Sequence, residues 1–90
     1  MNDILLYSNL VYGGFMDVQI GAIVNFVMDE GRHAGEIRPA IIVKLWSPVV
    51  VQLQVFTDGK NDETDNVIWK TSRHYSTQKQ RGTWHLQTDE

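Results

Sequence analysis

The sequence predicts an all-β domain of about five short strands closing into a small barrel. Three observations carry that expectation. Runs of β-branched and aromatic residues alternate with clusters of Gly, Pro, Ser, Asn and Asp. One run, Val49 to Thr57, alternates with a two-residue period. No convincing amphipathic helical pattern follows residue 17.

The first strand is expected over Val18 to Met28, with Gly21 allowing a bend or bulge. Asp29 to Glu36 follows as a polar loop containing two glycines. Ile37 to Trp46 is the second strand, and Pro39 places its first residues at an edge or strand entrance, where no ladder donor is lost. Ser47-Pro48 marks a turn. In the third strand Val49, Val51, Leu53 and Val55 share the core face, while Gln52 and Gln54 lie opposite. Asp58 to Asp65 has turn chemistry and enough charge to stay in water. Val67-Ile68-Trp69 is a short fourth strand, and Lys70 to Arg81 a polar connection. Thr83 to Gln87 is the last strand, with Trp84 facing the core and His85 facing away. Residues 1–17 form an apolar N-terminal extension, an extra strand or a short helix, ahead of a single barrel domain over 18–90. An SH3-like barrel is the architecture that fits this order.

Ninety residues make one domain with a modest core. There is no run of about 18 apolar residues to span a membrane. Without cysteine, stability is expected to come from packing, as in an intracellular protein. The net charge of -3 conceals an asymmetry: residues 66–81 hold four Lys/Arg and no Asp/Glu. A duplex-binding protein is normally basic overall, so nucleic acid is disfavoured as a partner.

Chemistry-bearing constellations are sparse. His33, His74 and His85 lie in separate segments without metal-ligand spacing, so no metal is expected. The Asp58 to Asp65 loop lacks the central glycine and distal Glu of a calcium loop. Neither a Gly-x-Ser-x-Gly elbow nor a phosphate-cradling glycine loop is present, so neither an enzyme nor a cofactor is expected. The basic segment is the best lead. Trp69, Lys70, Arg73, His74 and Tyr75 combine cations with aromatic faces, as a phosphate-bearing planar ligand requires. Lys79, Arg81 and His85 join them if the connection folds over the last strand. The competing reading is a solvated connection whose cations offset the acidic 58–65 loop. Arg32 and His33 form a second, weaker candidate.

The run Gly21 to Val27, then Arg38 to Val43, Val51 to Phe56 and finally Gly82-Thr83-Trp84-His85 resembles a family of small proteins of tailed bacteriophages and prophages, many of which end in Gly-Thr-Trp-His-Trp-Pro. Leu86-Gln87 departs from that ending, and Met16 sits where the family's first methionine stands, so a start at Met16 is one expectation. The resemblance implies a viral origin and carries no reaction with it. The reading that follows is a non-enzymatic phage accessory protein in the host bacterial cytoplasm. It would bind a nucleotide-like small molecule or a host protein to counter host defence, with a virion component as the alternative. A homo-oligomer is expected, with the apolar N-terminal residues as interface material.

Overall fold

In a computed structural model, which describes residues 18–89, five antiparallel strands form one sheet that curls into a half-barrel. The strands are β1 (Ile23–Val27), β2 (Ile37–Leu45), β3 (Val50–Phe56), β4 (Val67–His74) and β5 (Trp84–His85). They lie in the order β4-β3-β2-β1-β5. Two single-turn 3-10 segments, Gly59–Asp62 and Gln87–Asp89, complete the regular structure, with no α-helix among the described residues. The all-β expectation therefore holds, while the reading of residues 1–17 lies outside the described residues.

The core lies on the concave face. Val24 and Phe26 of β1, Ala40 and Ile42 of β2, and Val51, Leu53 and Val55 of β3 are fully buried there with Trp84. Each aliphatic or Phe side chain so buried contributes about 1.5–3 kcal/mol. The period of β3 does what its sequence predicts: Val51, Leu53 and Val55 point inward and Gln52 and Gln54 outward. Ser47 closes the β2–β3 hairpin, its Oγ accepting from the Val49 and Val50 amides at 3.2 and 3.0 Å. Pro39 is tolerated within the central strand β2 because the β2–β3 ladder begins only at Ala40–Val55.

Three strands differ from the sequence reading by more than a residue at one end. β1 starts at Ile23, because the chain turns over Gln19 to Ala22, with Gly21 at φ +95°, while Val18 drops into the core. β5 spans two residues, since Gln87 begins a 3-10 turn. β4 runs on to His74, through residues expected to form a connection. Its inward positions beyond Ile68 are Lys70 and Arg73, which read as surface residues until their partners are known.

Trp84 fastens the open end of the sheet. It pairs with Phe26 of β1, and its carbonyl accepts from the Ser76 amide at 2.9 Å. Its indole N–H is shared between the carbonyls of Val49 and Arg73, each at 3.1 Å. Tyr75 meets the indole edge-on with centroids 5.0 Å apart, and its hydroxyl donates to Asp89 at 2.9 Å. One side chain thereby links β1, the β2–β3 turn and the end of β4.

Candidate functional site

β4 carries the candidate cations, and a bulge aims them. Opposite Gln52 the pairing slips by one residue, so that Val51 faces Arg73 while Leu53 faces Lys70. Ser72 absorbs the slip in the left-handed region, at φ +56°. Without it, residues three apart on a strand would point to opposite faces. With it, Lys70 and Arg73 both point inward and converge on Asp29. The Lys70 ammonium lies 3.1 Å from Asp29 Oδ1 and 2.6 Å from Glu30 Oε2. Arg73 Nη1 lies 2.8 Å from Asp29 Oδ2, with its guanidinium carbon 5.7 Å from the centre of the Phe26 ring. Gly82, at φ +84°, leaves room for this guanidinium: a Cβ there would stand 2.7 Å from Arg73 Nη1. Burial pushes the Asp29 carboxyl up, but the Lys70 hydrogen bond and the charges of Arg73 and Lys70 outweigh it, leaving the group below its ordinary range.

A second network closes the neighbouring rim. Arg38 grips Asp62 through two parallel bonds, Nε to Oδ2 at 2.8 Å and Nη2 to Oδ1 at 2.6 Å. Nη2 also reaches Glu36 at 3.1 Å, and His33 Nδ1 meets the other oxygen of Glu36 at 2.8 Å. The Asp58 amide donates to Asp62 at 2.6 Å. Asp62 is therefore buried structure, correcting the expectation that the whole 58–65 loop is solvated. The Arg38 bonds, then the Asp58 amide, hold the Asp62 carboxyl well below the carboxylate range, and its guanidinium partner is raised in turn. His33 pulls Glu36 down and Glu36 pushes the His33 imidazole up.

These directions set a pH profile. Asp29, Glu36 and Asp62 titrate lower in the folded than in the unfolded chain, so their contribution is complete above the ordinary carboxylate range and lost below it. His33 is raised, so its contribution is present below the ordinary histidine range and fades as pH rises through its folded value. Unfolding by urea should show stability falling steadily below about pH 4. A midpoint unchanged between neutral pH and about pH 2.5 would contradict the assignment of these carboxylates.

The residues proposed from sequence are not brought to one place. Trp69 lies on the convex face and is 56% exposed, whereas its neighbour Lys70 points into the concave side. His74 and Arg81 are exposed, and Tyr75 is half-buried against Trp84. His85 faces away from the core side, as its alternation with Trp84 requires, but it is fully buried beside its strand partner Asn25. It is not a rim residue. Arg32 and His33 are engaged by Glu63 at 3.6 Å and Glu36 at 2.8 Å. Sequence reasoning missed Asp29, Glu30, Arg38 and Asp62 as the residues that decide what the cations can do. Opposite charge was the available signal, but the sequence did not show which acids meet which bases.

No family model, curated protein or solved structure matches this chain. The surface itself therefore carries the functional argument. A shallow groove of about 280 Å³ lies between the loop after β1, the 59–65 loop and β4. Met28, Ile68 and an edge of Trp69 supply its apolar lining, with Glu30, Asp62 and Glu63 beside the single ammonium of Lys70. With Lys70 already neutralised by Asp29 and Glu30, the groove lining offers no free cation to seat a phosphate. The convex face offers the opposite chemistry. Ile23, Ile41, Gln54 and Trp69 form one row across four strands, each the register partner of the next. Phe56 and Val67, paired one step along, extend it, and both are exposed.

Proposed function

We propose that this chain is a non-enzymatic binding protein that works by protein contact through the convex face around Trp69. The observation behind this reading is the division of chemistry between the two faces. Lys70 and Arg73, the cations an anionic ligand would need, are engaged by Asp29 and Glu30. The aromatic and aliphatic groups of Trp69, Phe56, Val67 and Ile23 stand exposed. Aromatic side chains at the centre of an exposed apolar patch are the usual anchors of protein interfaces. Combined with the resemblance carried by Gly82 to His85, the reading is a phage accessory protein that acts by protein contact in the host cytoplasm. Among the described residues no helix is long and apolar enough to cross a membrane.

Capture of a nucleotide-like signal is the competing use of the same chain. A thermal-shift panel of mono-, di- and cyclic nucleotides separates the two. No member should move the midpoint beyond experimental error. A saturable rise abolished by Arg73→Ala would instead return the site to the concave cations. A virion role predicts co-purification with particles, and a nucleic-acid role predicts binding with a steep salt dependence.

A further inference from the structure

We infer that the partner on the convex face is a second copy of this chain, two half-barrels packing outer sheet to outer sheet around Trp69; this rests on the protein-contact reading above. The first argument is area. The exposed parts of Trp69, Phe56, Val67, Ile23 and Pro39, with the half-buried Ile41 among them, present on the order of 400–500 Å² of apolar surface, the size of the largest patch on a monomer and of many functional ones. Two such patches together approach the roughly 1,000 Å² that a specific interface must clear.

The second argument is charge. Among the described residues, the exposed ionisable groups on the convex strand positions are Lys44 and His74, His85 being fully buried at the far end of that face. The Lys44 ammonium is occupied with the Trp46 ring, 3.9 Å from its centroid. A two-fold axis brings each group near its own copy, so a central charge would be repelled there. The middle of this face holds Gln54 instead, flanked by Ile41, Phe56 and Trp69. A carboxamide is both donor and acceptor, and two copies can satisfy each other. A charged partner would find no charge at the centre of this face to set its orientation.

The sheet edge is the other route to self-association, and its construction argues against it. β4 is an edge strand, but it carries the Ser72 bulge and two inward-pointing cations, Lys70 and Arg73. Bulges and inward charges are the devices by which edges avoid pairing. The face has no such protection.

The full chain should sediment as a dimer at about 50 µM, a concentration that populates an interface of micromolar Kd. Trp69→Ala should raise the dimer Kd by about 30-fold or more with its circular dichroism unchanged. Because the chain has no cysteine, Gln54→Cys provides a second readout that keeps the aromatic residues. A short bis-maleimide should link this variant into dimers, and should not link Asn61→Cys in the acidic loop. A wild-type chain monomeric at this concentration overturns self-pairing. So does a dimer indifferent to Trp69→Ala and unlinked through Gln54→Cys. A monomer whose Gln54→Cys thiol resists alkylation overturns it in favour of cover from within the chain, and that result would also remove the protein-contact reading. A monomer whose thiol reacts freely overturns self-pairing alone and leaves a heterologous partner in place.

Discussion

Trp84→Ala should cost the domain about 3–5 kcal/mol, the range for emptying a large aromatic site that cannot collapse. The indole is fully buried and sits where the sheet would otherwise stay open. Its loss removes the edge-on contact with Tyr75 and the shared donor for the carbonyls of Val49 and Arg73. Small domains hold about 5–15 kcal/mol in total, so the variant should lose a large share of its stability and unfold at markedly lower urea. Urea denaturation followed by far-ultraviolet circular dichroism measures the loss. Trp84→Phe refills much of the site without restoring the N–H, so it should fall between the two. A shift of under about 1 kcal/mol for the alanine variant would mean that the half-barrel closes without this residue.

The elements most legible in the sequence are those whose inward residues are apolar. Val51, Leu53 and Val55 announce β3 because nothing interrupts their period, and Trp84 reads as a core anchor by size alone. β4 was legible only as far as Trp69. Beyond it the inward positions are Lys70 and Arg73, and the bulge at Ser72 breaks the two-residue period that would have placed them on one face. Their meaning depends on Asp29 and Glu30, the latter forty residues earlier in the chain, and a contact of that range leaves no local pattern. Asp62 was hidden in the same way: in a run of acids it resembles solvated turn chemistry until Arg38 crosses to meet it. The convex row was invisible for a different reason. Ile23, Ile41, Gln54 and Trp69 belong to four strands, and only their register makes them neighbours. His85 shows the converse: its facing followed from alternation, but its burial did not, because alternation gives direction and not cover.

Asp29→Ala should be the most costly single change among the charged residues of the Lys70–Arg73 cluster, at about 2–3 kcal/mol. Removing one partner of a buried pair leaves the other charge uncompensated, a loss of about 3–5 kcal/mol in dry interiors and less where water reaches the group. Here the Asp29 side chain is 20% exposed and faces two cations, Lys70 at 10% and Arg73 at 28% exposure. Lys70→Met should behave differently. Asp29 keeps Arg73, Glu30 returns to the water that already covers it, and the methionine stem fills the space of the lysine stem; the change should stay within about 1 kcal/mol of neutral. Paired urea titrations of the two variants test this asymmetry, and equal losses would mean that the ion cluster acts as one unit. The same pair separates structure from function. If the concave cations exist to hold β4 on the loop after β1, Lys70→Met leaves self-association through Trp69 at the wild-type level. If they exist to seat an anion, that variant loses binding while its fold persists. A folded Lys70→Met chain with an unchanged dimer Kd would therefore assign Lys70 to architecture and leave the convex face as the working surface.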